Sequence, residues 1–132
     1  MYGLTTLKII TINMGSTLVI LFCKKIAETI DNSLLRTTDI SARYDDEEFV
    51  ILLPETDADS GFSVAEKVRT NVELLKVPLG KPDMISNMTV SIGVASLIGA
   101  KLNAIDLLKR ADKALYLAKD SGRNNCQILN TE

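Results

Sequence analysis

The chain has 132 residues, of which 46% are hydrophobic, and this size and composition fit one globular domain and exclude a disordered chain. Its 15 basic and 17 acidic residues give a net charge of −2, so we expect no nucleic-acid partner, and an anionic ligand needs a local basic site. The absence of histidine excludes imidazole acid–base catalysis and histidine-ligated metals.

The cysteines and the apolar N-terminal third bear on the cellular compartment. Cys23 and Cys126 lie far apart without metal-ligand spacing, which is typical of reduced thiols, so we expect a cytoplasmic location. The apolar run over residues 18–23 is too short for a membrane span of about 18 residues, so no membrane insertion is expected. Lys24 and Lys25 follow the run rather than precede it, which disfavours a secretory signal.

The chain begins with a strand pattern and a helix pattern. Residues 4–12 are rich in isoleucine, leucine and threonine and predict a strand, and residues 13–16 predict a turn. Ser16 or Thr17 is the expected N-cap of a helix that runs to about Asn32. Its inner face follows helical spacing and comprises Val19, Phe22, Cys23, Ile26, Ala27 and Ile30.

A hairpin with an acidic turn comes next. Residues 39–44 and 49–53 predict two strands. Four consecutive carboxylates stand between them: Asp45, Asp46, Glu47 and Glu48. Adjacent like charges repel one another, so a hairpin with only a structural role would rarely carry them. This hairpin is therefore a candidate functional segment.

The second half predicts two more helices and two more strands. Thr56 is the expected N-cap of a helix whose inner face comprises Phe62, Ala65, Val68, Val72 and Leu75. Residues 79–87 predict a loop, and residues 88–95 predict a strand in which Gly93 lets another backbone approach closely. A helix from Asn103 has the expected inner face Ile105, Leu108, Ala111, Leu115 and Ala118.

That last helix is expected to end at Gly122 as its C-terminal cap, and residues 126–129 predict a short final strand. The element order is therefore β-α-β-β-α-β-α-β. One hairpin combined with several helical crossovers predicts an α/β domain with a mixed central sheet of about five strands flanked by helices.

Three motifs carry a family resemblance. Residues 43–49, Arg-Tyr-Asp-Asp-Glu-Glu-Phe, match the pattern R-Y-G-G-D/E-E-F except at its two glycines. Residues 90–95 match a strand motif, and residues 111–119 with 121–124 match a closing helix motif. With these motifs in order, the chain resembles the GGDEF domain of bacterial diguanylate cyclases. The resemblance implies a nucleotide-cyclase, palm-like fold with a ferredoxin-like core.

The resemblance covers nearly the whole chain but omits the family's first helix with its D-x-L-T-G-L-x-N-R motif. Residues 1–132 are therefore expected to be a single, N-terminally truncated GGDEF-like domain. Members of the family join two GTP molecules into cyclic di-GMP between two facing domains, usually with magnesium. The resemblance thus implies a homodimer or a partner signalling domain, with Mg²⁺ as cofactor only where GTP binding is retained and no cofactor otherwise.

The resemblance assigns catalytic positions to Glu47 and Glu48, with Glu47 as the remaining metal ligand, and phosphate contacts to Lys119 and Arg123. A plain alternative for the two cations is a solvated helix end. The glycines of the signature are replaced by two aspartates at positions 45 and 46. Each aspartate adds a side chain in the path of the nucleotide and a negative charge, and two like charges near 4 Å cost ~4 kcal/mol at an effective dielectric of 20.

The first strand departs from the family as well. Gly3 stands at the metal-binding aspartate, and Ser16 replaces a histidine. Thr11 and Ile20 stand at the asparagine and aspartate that read guanine, which leaves guanine N–H donors without acceptors. These substitutions together predict a domain without cyclase activity.

A second site of the family, the inhibitory R-x-x-D motif, is retained. Arg36 and Asp39 have the required spacing and lie at the family's offset before Asp45, and Lys67 stands where a third cation, usually arginine, is found. Arginine can donate to guanine O6 and N7, and aspartate can accept from guanine N1–H and N2–H₂. The resemblance therefore implies binding of cyclic di-GMP. The alternative is a local salt bridge of under about 1 kcal/mol.

Three hypotheses follow for the function. The first is a degenerate GGDEF domain that binds cyclic di-GMP at Arg36, Asp39 and Lys67. The second is an active or weakly active diguanylate cyclase that binds GTP and tolerates the acidic turn. The third is a nucleotide-free dimerisation or signal-transmission module.

Overall fold

The computed structural model describes residues 6–13, 19–45, 48–78, 85–87, 89–98 and 104–129. Its helices are α1 (Val19–Ser33), α2 (Ala58–Glu73) and α3 (Ala104–Asp120). Its strands are β1 (Thr6–Asn13), β2 (Ile40–Asp45), β3 (Glu48–Pro54), β4 (Lys76–Pro78), β5 (Ile85–Asn87), β6 (Ser91–Ile98) and β7 (Cys126–Leu129). The predicted caps Ser16 and Thr17 lie outside the described residues.

Five strands form a mixed sheet in the order β2-β3-β1-β6-β7. The pairs β2–β3, β3–β1 and β1–β6 are antiparallel, whereas β6 and β7 are parallel because α3 crosses over between them. This confirms the predicted α/β fold with a five-stranded mixed sheet. Strand β1 lies at its centre, so its backbone is paired on both sides.

The sheet is covered by helices on both faces. Ile10, Ile12, Ile51 and Leu53 of the strands are fully buried and belong to one core cluster with residues of α1 and α2. On the other face Ala95 packs with Leu107 and Ala111 of α3, and alternate β3 residues join this second cluster. A strand with apolar partners on both faces reads as a continuous apolar run, which is why residues 49–53 were recognisable in the sequence.

Two predictions about the helices are wrong. The N-cap of α2 is Asp57, whose carboxylate accepts from the backbone N–H of Ser60 at 2.7 Å, and not Thr56. Thr56 is buried, and its hydroxyl is hydrogen-bonded to Arg36 and to the Pro54 carbonyl instead. Ile105 is 65% exposed, and Leu107 takes the inner position in its place. The first turn of α3 is therefore rotated relative to the predicted face.

The predicted loop over residues 79–87 is wrong at its end. Residues 85–87 form β5, which pairs antiparallel with β4 in a separate two-stranded sheet. Each of these strands has only three residues, too few to produce an alternating pattern that can be recognised in the sequence.

Two glycines have the roles predicted for them. A Cβ atom on Gly93 would lie 2.3 Å from the carbonyl oxygen of Ala111 and 2.3 Å from the nitrogen of Leu115, so α3 packs directly on the β6 backbone. Gly122 follows α3 with a φ of 107°, and the next N–H, from Arg123, donates to the Ala118 carbonyl at 3.1 Å. This is the hydrogen-bond pattern of a glycine C-terminal cap.

We expect Gly93→Ala to destabilise the fold by at least about 2 kcal/mol, because α3 or β6 must move to make room for the methyl group. Gly122→Ala is the matched control. It adds a methyl group in open space and costs only backbone strain, about 1 kcal/mol. Urea denaturation measures both losses, and equal stability of Gly93→Ala and the unchanged protein would contradict the close packing.

Candidate functional site

The predicted site residues fall at opposite ends of the sheet. At one end Asp45 pairs with Glu48, at the connection between β2 and β3. At the other end lie Pro54, the last residue of β3, and the start of β2. The seven residues of β3 at ~3.3 Å per residue separate these ends by about 20 Å. The two predicted sites are therefore distinct.

The acidic hairpin, β2 and β3 with their connection, is tighter than predicted. The strands extend through Asp45 and Glu48, and only positions 46 and 47 separate them. The register shifts between Arg43 and Asp45, which is a bulge. Asp45 and Glu48 occupy directly opposed backbone positions, so this end of the hairpin carries a carboxylate on each strand. Asp46 and Glu47 lie outside the described residues.

A cavity of about 410 Å³ lies between α1 and the base of the acidic hairpin. Lys24 and Arg43 supply cations to its wall, and the buried Phe49 supplies apolar surface. Asp31 also lines it and accepts a hydrogen bond from Ser41. The cavity thus combines opposite charges and carries no strongly basic surface.

The connection from α3 to β7 carries the two predicted phosphate contacts. Lys119 lies in the last turn of α3, and Arg123 is exposed with a φ of 63°. The Ile92 N–H donates to the Asn125 carbonyl at 3.0 Å, and the Asn125 side chain donates to the Ala118 carbonyl at 2.8 Å. Because Ile92 lies at the start of β6, this connection is at the hairpin end of the sheet.

An ionic brace from α2, formed by Glu66, Arg69, Glu73 and Asn124, fixes that connection. Arg69 Nη2 donates to Glu66 Oε1 at 2.9 Å, and its Nη1 donates to Asn124 Oδ1 at 3.1 Å. The Asn124 side chain donates in turn to Glu73 Oε2 at 2.7 Å. Asn124 has a φ of 46°, a left-handed conformation that asparagine tolerates better than most residues.

The brace also shifts proton affinities. The hydrogen bond from Arg69 lowers the pKa of Glu66, although partial burial opposes it. The same pairing raises the pKa of Arg69. Burial, with a contribution from Glu66, raises the pKa of the free thiol of Cys126 far above its usual range. This cysteine is therefore a neutral core residue, as its predicted thiol state requires.

At the opposite end of the sheet, Arg36 and Asp39 form an ion pair. Arg36 Nη2 lies 2.6 Å from Asp39 Oδ1, and Arg36 Nε donates to the same carboxylate at 3.1 Å. Nη2 also donates to the Pro54 carbonyl at 2.8 Å and to the Thr56 hydroxyl. The hydrogen bond with Asp39 raises the pKa of Arg36. The Asp39 side chain is only 4% exposed because the guanidinium covers it.

These residues line a groove of about 350 Å³ between the end of α1 and the start of α2, the Arg36 groove. Lys67 lies on its α2 wall, so all three residues predicted to bind cyclic di-GMP meet here. Two further carboxylates, of Glu55 and Asp57, also line it. With two cations and three carboxylates, the groove offers donors and acceptors side by side rather than a basic surface.

Sequence reasoning missed the part that Thr56 has in this groove. The sequence predicts a helix cap at Thr56, whereas its hydroxyl accepts from Arg36 and donates to the Pro54 carbonyl at 3.0 Å. Arg36 and Thr56 are 20 positions apart, so local spacing carries no sign of their contact.

In the described part of the chain, no group of three or more histidine, cysteine, aspartate or glutamate residues could hold a metal ion. None of the described helices is long and apolar enough to cross a membrane.

Comparison with known proteins gives one consistent family. The family model described as "Diguanylate cyclase, GGDEF domain" matches residues 4–125. Diguanylate cyclase A of Treponema denticola is 38% identical over 99 residues, which are 75% of this chain and 26% of that protein. Diguanylate cyclase DgcM of Escherichia coli K12 is 42% identical over 99 residues, 75% of this chain and 22% of that protein.

A solved structure has the same fold. The GGDEF domain of DgcB from Caulobacter crescentus, in complex with c-di-GMP, superposes with a TM-score of 0.79 over 94% of this chain and 78% of that chain, at 23% identity. The present chain spans about a quarter or less of the length of the two curated relatives.

We expect Arg69→Met to lower the free energy of unfolding by about 1 kcal/mol at pH 7, a small loss because solvent screens the partly exposed carboxylates. The lowered pKa of Glu66 means that its stabilisation is present above its ordinary value of 4.5 and is lost as the pH falls through the lowered folded pKa. The difference in free energy of unfolding between Arg69→Met and the unchanged protein should therefore become smaller in acid.

Urea denaturation at a series of pH values from 7 to 3 measures this difference in the free energy of unfolding. Lys113→Gln, a change at an exposed position of α3, is the control and should leave stability unchanged. A difference between Arg69→Met and the unchanged protein that stays constant down to pH 3 would contradict a contribution from ionised Glu66.

Proposed function

Because the chain belongs to the GGDEF domain family of diguanylate cyclases, we propose that it is a degenerate signalling domain that binds cyclic di-GMP in the Arg36 groove and does not convert GTP. One observation carries the proposal. Arg36 and Asp39 of the connection between α1 and β2, and Lys67 of α2, line the same groove. The groove therefore joins the Arg36–Asp39 pair, which is local in sequence, to a cation from a separate helix.

The chemistry of the groove suits a guanine base joined to a phosphate. Guanine presents acceptors at O6 and N7 and donors at N1 and N2, so it pairs with a guanidinium and a carboxylate together. Lys67 adds a positive charge for phosphate. Leu35 lines the groove with 83% of its surface exposed and offers an apolar surface to the flat face of a base. A volume of about 350 Å³ lies within the range of small-molecule sites.

The charges at the hairpin end of the sheet support the proposal that the domain does not convert GTP. Asp45 and Glu48 are opposite each other there, and two more carboxylates follow in sequence, at positions 46 and 47. A triphosphate offers only negative oxygens to these groups. A single pair of like charges near 4 Å costs ~4 kcal/mol at an effective dielectric of 20, which exceeds two decades of affinity.

The family's magnesium does not fit the donors that are described. Asp45 and Glu48 give two neighbouring carboxylates, and no group of three candidate ligands occurs in the described part of the chain. Glu47 remains a candidate ligand outside the described residues. Magnesium is therefore expected at this site only if GTP binds.

The second candidate function is a weak diguanylate cyclase. It is favoured by the cavity beside Arg43 and Lys24 and by Arg123 at the same end of the sheet. A third candidate is a nucleotide-free module that pairs with a second copy or with a partner signalling domain. It is favoured by Ile105 and Tyr116, which are 65% and 66% exposed on one face of α3.

We expect calorimetric titration with cyclic di-GMP to give saturable binding. Arg36→Lys keeps a positive charge beside Asp39 but removes the planar fork, so affinity should fall at least about tenfold. Lys67→Ala should weaken binding less, because it removes only a partly screened charge. Arg123→Ala, about 20 Å away at the other end of the sheet, is the matched control and should bind like the unchanged protein. Equal affinities of Arg36→Lys and the unchanged protein for cyclic di-GMP would contradict the proposal.

We also expect no product when the purified protein is incubated with GTP and magnesium and the mixture is separated by chromatography. The physical reason is the repulsion between the triphosphate and the acidic hairpin. Glu47→Ala is the control variant. Magnesium-dependent formation of cyclic di-GMP that Glu47→Ala abolishes would establish the weak cyclase in place of the inactive domain.

A further inference from the structure

Thr56 has a position in the Arg36 groove that helix capping does not explain. The residue is 5% exposed, its hydroxyl oxygen accepts from Arg36 Nη2 at 2.5 Å, and the hydroxyl donates to the Pro54 carbonyl at 3.0 Å. The cap of α2 is Asp57 instead. A buried hydroxyl that donates to one group and accepts from another has a fixed orientation.

The guanidinium of Arg36 is already hydrogen-bonded to the protein in the ligand-free state. Nη2 carries two hydrogens but has three acceptors within reach, on Asp39, Pro54 and Thr56, at 2.6, 2.8 and 2.5 Å. Nε donates to the same Asp39 carboxylate. Because the Asp39 side chain is only 4% exposed, a guanine edge cannot reach it while the guanidinium lies on it. Arg36 must move before Asp39 can read a base.

Moving Arg36 alone would be costly. Asp39 would lose its cation and the Pro54 carbonyl one of its two donors, and the loss of these hydrogen bonds costs free energy. The base can replace the guanidinium on Asp39 through N1–H and N2–H₂. The Pro54 carbonyl has a second donor already in place, the hydroxyl of Thr56.

We propose that ligand binding exchanges partners in this latch, formed by Arg36, Asp39, Pro54 and Thr56, and that Thr56 is its positioning residue. The inference rests on the proposed function. In the ligand-free state Arg36 satisfies both Asp39 and Pro54. In the ligand-bound state guanine satisfies Asp39, the hydroxyl of Thr56 satisfies Pro54, and Arg36 turns to the ligand. Asp39 and the Pro54 carbonyl therefore each have a donor in both states.

Removing the hydroxyl should harm only the ligand-bound state. Without it the Pro54 carbonyl still has Arg36 in the free protein but has no donor once Arg36 turns away. Thr56→Val keeps the shape of the side chain and removes the hydroxyl, whereas Thr56→Ser keeps the hydroxyl and removes a methyl group. The pair of variants separates hydrogen bonding from packing.

The test is calorimetric titration of the unchanged protein, Thr56→Val and Thr56→Ser with cyclic di-GMP, together with their melting temperatures. We expect Thr56→Val to lose about tenfold in affinity and Thr56→Ser to stay within about threefold of the unchanged protein. Melting temperatures without ligand should agree within a few degrees. If Thr56→Val does not fold, Thr56→Ala replaces it with the same expected loss.

The outcomes separate the inference from the proposed function. Unchanged affinity of Thr56→Val, beside normal binding by the unchanged protein, overturns the latch and leaves the proposed function standing. Equal losses in Thr56→Val and Thr56→Ser also overturn it, because packing would then be the cause. A folded, unchanged protein that gives no heat with cyclic di-GMP overturns the proposed function and the latch with it.

Discussion

The pairing of β3 on both sides is the constraint on which the rest of the structure depends. It is hydrogen-bonded to β2 and to β1, and its side chains reach the core on both faces of the sheet. Its two ends are therefore held at a fixed separation. One end continues into the acidic connection, and the other presents the Pro54 carbonyl to Arg36. Substitutions at the hairpin can accumulate without disturbing the groove at the far end.

The two ends differ in the ligands that their charges admit. At the hairpin, Asp45 and Glu48 occupy opposed backbone positions, so a phosphate bound over the turn would lie near carboxylates. The lining of the Arg36 groove contains both cations and carboxylates, and Asp39 lies under a guanidinium. A guanine base can accept hydrogen bonds from the cations and donate hydrogen bonds to the carboxylates at once. A triphosphate has only acceptor oxygens, so it can pair with the cations alone. The difference follows from hydrogen-bond chemistry, so it does not require the groove to be strongly basic.

Local patterns were sufficient to predict much of this molecule. The apolar run of β3, the short strand β7 and the close approach at Gly93 follow from strand patterning and from the lack of a side chain. The spacing of Arg36 and Asp39 is also local, since three positions at a turn before a strand bring their side chains together.

The wrong predictions concern features that are determined by contacts between residues far apart in sequence. Thr56 and Asp57 are both good helix caps, and the choice between them depends on Arg36, 20 positions from Thr56. The phase of α3 is set by its packing on the β6 backbone, which buries Leu107 and exposes Ile105. The link from Arg69 to Asn124 spans 55 positions and has no sequence signature.

Nitrogen–proton correlation spectra recorded during titrations of the ligand-free protein test the central claim most directly. We predict that cyclic di-GMP shifts the amide signals of residues 33–39 and 55–67, whereas GTP with magnesium leaves residues 43–45 and 121–125 unshifted. Saturable shifts at the hairpin with GTP and magnesium, and none in the Arg36 groove with cyclic di-GMP, would contradict the account.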